Sequence, residues 1–245
     1  MNPKHKVALI TGGARIGRTV AALLAERGAR VALTYKTSLK NARETAAEVE
    51  RLGQKSLLIK SDLAKKGAAK QIIRELKKKF GALHILIHMA SIYQPTPFKT
   101  LRDAQWEEHM RVELKSAFEL SFHAASLIKR SGGGRIITIS DWTARSGRPR
   151  YKHLLPYYVA KSGIIGLTEA LALELAPSIL VNSIAPGPII KPRGFKGSDD
   201  KEVLTTTPLR RWGGPLEIAK AVLFLIDSDF ITGETIRIDG GRHLI

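Results

Sequence analysis

The chain has 245 residues, 40 Lys and Arg against 22 Asp and Glu, a formal net charge of +18 and no cysteine. That length accommodates one α/β domain with a core large enough to need no covalent staples, and the missing cysteines exclude disulfides and thiolate metal sites. No apolar run approaches the ~20 residues of a membrane span, and the opening Met1-Asn-Pro-Lys-His-Lys-Val-Ala leaves no room for a cleavable signal, which points to a cytoplasmic protein.

Along the chain, short apolar strands alternate with helices. Lys6–Thr11 reads as the first strand, followed by a Gly-rich turn and a helix over Gly17–Arg27 that stops at Gly28. Arg30–Tyr35 is the second strand, and a helix over Asn41–Leu52 ends at Gly53. Lys55–Lys60 leads into a helix over Ala68–Phe80, closed by Gly81, and Leu83–His88 is the next strand. Long helices over 101–130 and 157–176 separate strands at Arg135–Ser140 and Ile179–Ile184. A last helix near 215–227 precedes the strand Glu234–Ile238. This alternation predicts a parallel sheet of about seven strands covered on both faces, the doubly wound Rossmann architecture. One α/β domain over 1–245 is expected, with a substrate-loop insertion at about 186–212.

The basic excess is spread over many helices, as in Lys77-Lys78-Lys79, without a zinc-finger, homeodomain or RNA-binding signature. Local clusters stand at Arg145, Arg148, Arg150 and Lys152, and at Lys191, Arg193 and Lys196. Loose attraction to polyanions at low salt follows from such a charge; dedicated nucleic-acid recognition does not.

In doubly wound sheets, ligands sit at the carboxyl ends of the strands, where the strand order reverses. Thr11-Gly-Gly-Ala-Arg-Ile-Gly17 occupies the turn between the first strand and the first helix. Its glycines let the backbone approach a pyrophosphate, and the helix N-terminus offers free N–H groups, so Gly12, Arg15, Ile16 and Gly17 are candidate contacts. At the end of the second strand, Thr34-Tyr35-Lys36-Thr37-Ser38 lacks the carboxylate that would grip a ribose 2′-hydroxyl. Lys36 and Arg15 suit a 2′-phosphate instead, which favours NADP(H) over NAD(H).

Tyr157 and Lys161 stand four residues apart and share one face of a helix. An ammonium beside a phenol favours the phenolate, so the tyrosine pKa is expected to fall from its ordinary ~10 and the hydroxyl to exchange protons near neutral pH. Tyr158 lies within one turn of the same lysine and is the competing candidate.

With these motifs in order, the chain resembles the short-chain dehydrogenase/reductase family nearly end to end. Ser61-Asp62-Leu63 is similar to the family's adenine-contacting turn, and Val181-Asn-Ser-Ile-Ala-Pro186-Gly187-Pro-Ile189 to the segment flanking the nicotinamide. Ile231-Thr-Gly-Glu-Thr-Ile-Arg-Ile-Asp239-Gly-Gly241 is similar to the carboxyl-terminal strand and turn buried between subunits. The resemblance implies hydride transfer, a homotetramer or homodimer, Tyr157 as proton donor and Lys161 on the ribose. Cofactor contacts are then implied at Tyr35, Lys36, Thr37, Asp62, Leu63, Ala90, Ser91, Tyr157, Lys161, Pro186, Gly187 and Ile189.

Within the family the resemblance is closest to the pteridine reductases, including the dihydromonapterin reductase type. Asp141 stands where most members carry a catalytic serine, and Ala90-Ser91-Ile-Tyr-Gln-Pro-Thr96-Pro97 is similar to their loop beside the cofactor and the flat substrate. A carboxyl at Asp141 could bond the tyrosine hydroxyl, relay protons to a ring nitrogen, or cap a helix or turn. Ser140, one residue earlier in the strand, points to the opposite face.

Four departures from the family pattern carry expectations of their own. The first glycine loop is one residue short, without the middle glycine. Met89 follows His88 where the family has Asn, and both read as packing at a strand end. Glu113 replaces the tetrad asparagine and could pair with Lys161. Three extra residues between Asp141 and Tyr157 require a bulge over Arg145–Pro156. These features leave open a reductase of pterins or similar heterocycles, a 3-oxoacyl-carrier-protein or generic carbonyl reductase, and a nucleotide-binding scaffold that has lost turnover. The arginine cluster at 145–152 would suit an acidic carrier.

Overall fold

The computed structural model describes residues 1–191 and 197–245, with residues 197–199 described by backbone alone. Strand β1 (Val7–Thr11) is buried at every position, and its side chains alternate between two cores. Val7 and Leu9 join one cluster, Ala8 and Ile10 the other. The remaining strands are β2 (Arg30–Tyr35), β3 (Ser56–Lys60), β4 (Ile85–His88), β5 (Gly134–Ile139), β6 (Ile179–Pro186) and β7 (Thr235–Ile238). All pair in parallel, in the order β3-β2-β1-β4-β5-β6-β7.

The helices follow in chain order as α1 (Ile16–Glu26), α2 (Leu39–Arg51), α3 (Ala68–Phe80), α4 (Asp103–His109) and α5 (Ser116–Arg130). They continue as α6 (Trp142–Arg145), α7 (Leu155–Leu175), α8 (Gly197–Thr205) and α9 (Pro215–Asp227). Val20 and Leu24 of α1, with Ile218 and Val222 of α9, cover Ile10, Leu33 and Ile87 on one face. On the other, Ile72 and Leu76 of α3 and Leu120 and Leu127 of α5 cover Leu9, Leu86 and Ile136. Each such side chain contributes about 1.5–3 kcal/mol on burial, so both layers are held tightly to the sheet. Among the described residues, no helix is long and apolar enough to cross a membrane.

Because β1 has β2 on one side and β4 on the other, the strand order reverses there and opens a crevice at the carboxyl ends of β1 and β4. The structure differs from the sequence expectation mainly around this crevice. The helix expected over 101–130 is interrupted by a π-helical turn, Met110–Lys115. The widened turn brings both Val112 and Glu113 to the buried side. The bulge expected before Tyr157 consists of short helix α6 and a loop, Ser146 to Leu154, in which His153 adopts φ 66°. Helix α8 carries no apolar signature and was not expected. Lys191 pairs with Asp200 of α8 at 2.6 Å, whereas Arg193 and Lys196 of the same basic cluster lie outside the described residues.

Candidate active site

Two neighbouring strand ends are tied together first. Thr11 Oγ1, at the end of β1, accepts bonds from the N–H groups of Met89 and Ala90, each at 3.0 Å. Gly12 turns away with φ +73°, and a Cβ there would sit 3.2 Å from Ala90 backbone. At Gly17 a Cβ would come within 2.5 Å of the Gly12 carbonyl oxygen, so no larger residue fits this loop. No side chain caps α1; the Gly17 N–H donates to the Ala14 carbonyl, and no side chain competes for the other N–H groups of the first turn, which suit an anion.

Shortening the glycine loop has a structural consequence at Arg15, which adopts φ 55°, ψ −112°. L side chains avoid that conformation at a cost of roughly 1–3 kcal/mol, and glycine would adopt it freely. Its guanidinium donates to the Lys191 carbonyl, 3.0 Å away across the crevice. Lys36, exposed at the end of β2, pairs with Asp62 at 3.1 Å. The two cations expected to share a 2′-phosphate therefore each engage a partner within the protein. Asp62 also accepts the Ala64 N–H, which holds the turn after β3, and its carboxyl lies below the ordinary range despite partial burial. Tyr35, Thr37 and Leu63 line the same corner, and the Tyr35 carbonyl accepts the Ser61 N–H.

Across the crevice, the backbone leaves β5 at Ile139 and places Ser140 and Asp141 on opposite sides. Ser140 is buried, and its hydroxyl donates to the Lys161 carbonyl at 2.8 Å. Asp141 uses its two oxygens differently. Oδ1 caps α6, accepting from the Thr143 N–H at 2.8 Å and hydroxyl at 2.6 Å. Oδ2 accepts the Tyr157 hydroxyl at 3.2 Å. Capping and contact with the tyrosine, alternatives in the sequence, are thus performed by one carboxyl. Burial pushes that carboxyl above its ordinary value, opposed by Thr143, Lys161 and Tyr157.

Tyr157 and Lys161 share the inward face of α7, 9% and 3% exposed. The Lys161 ammonium donates to the Ile139 carbonyl at 2.8 Å and lies 2.8 Å from Glu113 Oε2. It sits 5.6 Å from the Tyr157 ring centroid. Glu113 Oε1 accepts the Ser91 hydroxyl at 2.7 Å and the Ile92 N–H. Tyr158 is half-buried, and among the described residues its side chain makes no hydrogen bond to this cluster.

The expected lowering of the Tyr157 pKa is reversed. Burial pushes the hydroxyl well above its ordinary value, and the charges of Asp141 and Glu113 push the same way. The Lys161 ammonium beside it is paired with Glu113. Tyr93 packs edge-on against the Tyr157 ring, centroids 5.1 Å apart, and burial raises its own hydroxyl to about 12. Tyr93 and Glu113 are the members of this cluster that sequence reasoning left out of the site. Glu113 stands out in the sequence as the replacement for the tetrad asparagine, and the pairing with Lys161 expected there is present at 2.8 Å.

His88 packs at the end of β4, its Nε2 2.7 Å from the Ser116 hydroxyl, and burial beside Lys161 lowers its pKa to about 3. Pro186 ends β6, and Gly187 and Ile189 follow it at the crevice. Gly187 is required by close approach, since a Cβ would lie 2.6 Å from Asp239. The Ile189 side chain is buried in the core with Ile218, so any contact with a cofactor falls to its main chain. In the bulge, Arg145 donates to the Thr235 carbonyl, and Arg150 donates to the Ile245 carbonyl and lies over the Trp142 ring. Arg148 and Lys152 remain exposed. Two shallow concavities of about 420 and 410 Å³ lie against Arg30, Gln54 and Lys55, at the amino ends of β2 and β3, away from this cluster.

Comparison with known proteins agrees with this geometry. A family profile described as Enoyl-(Acyl carrier protein) reductase matches residues 13–243. The 3-oxoacyl-[acyl-carrier-protein] reductase FabG of Staphylococcus aureus is 34% identical over 245 residues, covering 98% of each chain. That of Escherichia coli is 34% identical over 251 residues, covering both chains completely. Among solved structures, a short-chain dehydrogenase/reductase from Serratia marcescens superposes with a TM-score of 0.92 at 33% identity, covering 99% of this chain and 100% of the other. A blue fluorescent protein from a metagenomic library, in complex with NADPH, gives 0.90 at 28% identity, with 99% of each chain covered. With a glycine turn after β1, a tyrosine and lysine one turn apart on α7, and end-to-end similarity to these proteins, the chain belongs to the short-chain dehydrogenase/reductase family of oxidoreductases.

Proposed function

We propose that the protein is an NADPH-dependent reductase of C=O or C=N groups, with Tyr157 as the proton donor and Asp141 in place of the usual serine. The residues around the crevice fit the cofactor. Gly12 and Gly17 form a bare cradle that any Cβ would fill, beside an uncapped helix end. Lys161 donates one of its three N–H groups to the Ile139 carbonyl and is ion-paired with Glu113, which leaves donor capacity for a ribose hydroxyl. Lys36 stands exposed where a 2′-phosphate would add charge, with Tyr35, Thr37, Asp62 and Leu63 around the adenosine end and Ala90, Ser91, Pro186 and Gly187 nearer the reacting end. NADPH supplies the hydride when bound.

The remaining chemistry belongs to the chain. Tyr157 keeps its proton through neutral pH and delivers it to the substrate oxygen or nitrogen as negative charge develops there. Asp141 accepts the Tyr157 hydroxyl bond and aims it. A heterocycle presenting N–H donors can use the same carboxyl, and that contact is the observation that carries the substrate assignment: a pterin-like ring, as in the pteridine reductases. A second reading, reduction of 3-oxoacyl thioesters, is favoured by the 34% identity to FabG. The exposed Phe118 and Phe122 of α5 and Leu173 of α7 support a homodimer or homotetramer, and the protein is proposed to work in the cytoplasm as a single domain with a substrate loop over 186–212.

The test is NADPH oxidation with dihydropterins and with acetoacetyl thioesters, comparing the native chain with Asp141→Ser. Dihydropterin turnover that is lost in the variant, while ketone reduction rises relative to it, is the expected result. Efficient thioester reduction by the native chain with no pterin turnover would move the assignment to the second reading.

A further inference from the structure

The mechanism above uses Tyr157, Lys161 and Asp141 and leaves Glu113 without a role, although it is among the most deeply buried charged residues of the chain, 1% exposed. Its carboxylate is divided between two tasks. Oε2 faces the Lys161 ammonium at 2.8 Å, and Oε1 takes the Ser91 hydroxyl and the Ile92 N–H. The loop held by Oε1 carries Tyr93, whose ring stands against that of Tyr157. The π-helical turn Met110–Lys115 puts the carboxylate there, and such turns recur where a helix must aim a functional side chain.

We propose that Glu113 is a positioning residue that cancels the charge of Lys161, so that Tyr157 is committed to giving a proton rather than taking one. The inference rests on the reductase reading and deepens it: the site is built for reduction and works poorly in the oxidative direction. A lone ammonium beside a phenol stabilises the phenolate, the base that alcohol oxidation needs. An ammonium already paired in a buried site offers little field to the tyrosine. The other groups facing the hydroxyl do not restore it. Asp141 approaches from the end of β5 with a carboxyl, and Tyr93, backed by Tyr151, approaches from the loop after β4. His88 on β4 is held neutral by burial, and His109 at the end of α4, near Glu113, is likewise shifted toward its neutral form. Glu113 is thus the group that decides whether the lysine charge reaches Tyr157.

The experiment is an ultraviolet difference titration of tyrosinate, which needs neither cofactor nor substrate. The Tyr157 component is isolated by subtracting the Tyr157→Phe curve, in the native chain and again in Glu113→Gln. In the native chain it should titrate above the ordinary tyrosine value of ~10, and Glu113→Gln should lower it by about one pH unit or more, giving about tenfold more tyrosinate at a fixed pH. Glu113→Asp, which keeps the charge, should stay with the native chain. Ser91→Ala, which removes only an Oε1 bond, should leave the titration in place whatever it does to turnover. With a competent substrate pair, Glu113→Gln should also move the alkaline rise of oxidative turnover to lower pH by about one unit. Superimposable Tyr157 titrations in the native chain and Glu113→Gln would overturn the proposal. If Glu113→Gln does not fold, the native chain decides alone: a Tyr157 component titrating below ~10 overturns it equally. Absence of any reductase turnover with the titration shift intact would instead count against the proposed function.

Discussion

Replacing Lys161 by Met tests how much of the site's architecture depends on one buried ion pair. The pair is almost dry: the Lys161 side chain is 4% exposed and that of Glu113 0%. Methionine fills most of the lysine volume, so the change removes the charge rather than opening a cavity. Glu113 keeps Ser91 and Ile92 on Oε1, while Oε2 loses its ammonium. Removing one member of such a pair typically costs about 3–5 kcal/mol, because the surviving charge remains desolvated. For a chain of this size, with roughly 2–4 °C per kcal/mol, the midpoint should fall by about 6–20 °C. Adding Glu113→Gln to Lys161→Met should recover more than half of the loss, since the amide still bonds Ser91 and Ile92 without an unpaired charge. The assay is thermal unfolding for the midpoint and urea unfolding for the free energy, on native, single and double variants at one protein concentration, analysed as a double-mutant cycle. A Lys161→Met variant within about 1 kcal/mol of the native chain, or single losses that simply add in the double variant, would refute the reasoning.

Three further outcomes follow from the same structure. Lys36 is half-exposed and shared with Asp62, so solvent screening limits its phosphate contact to about 1 kcal/mol, a roughly fivefold preference for NADPH over NADH. Titration of both cofactors at fixed salt measures it; Lys36→Asp should reverse the preference, Asp62→Asn should enlarge it, and equal affinities in the native chain would contradict it. Tyr157→Phe should cut turnover by roughly 10²–10⁴ with cofactor affinity largely kept, whereas Tyr158→Phe should retain most activity, since it is Tyr157 that bonds Asp141; steady-state kinetics with the exchanged pattern would mean that the wrong tyrosine is assigned. His84 and His88 titrate near 4 and 3 in the folded chain against an ordinary 6.5, so the unfolded chain takes up these protons first. Their contribution is complete above pH 6.5 and is lost as pH falls through 6.5 toward 4 and 3, roughly 2 kcal/mol for each by about pH 5. Unfolding measured across that window should show a shallower decline for His88→Gln, and an unchanged slope would exclude His88 as a source.

The sequence by itself determined the elements whose signals are local. Val7, Leu9, Ile85 and Ile87 lie in runs apolar enough to be buried on both faces, glycines closed the first helices, and helix α3 runs over Ala68–Phe80 as its periodicity predicts. The place of the site was legible for the same reason, because a glycine turn after β1 and Tyr157 and Lys161 one turn apart are short-range patterns. What only the tertiary structure decided is the electrostatics. The sequence offers Glu113 as a possible partner of Lys161, but the π-helical turn that brings its carboxylate to 2.8 Å from the ammonium in a dry site belongs to the fold. Lys36 reads as a free cation until the turn after β3 places Asp62 against it, and Arg15 until the segment after β6 offers the Lys191 carbonyl. The strain at Arg15 likewise belongs to the folded loop, since nothing in one residue's identity shows which φ its neighbours will require. Charge interactions between remote segments depend on distance and burial, neither of which is encoded in spacing along the chain.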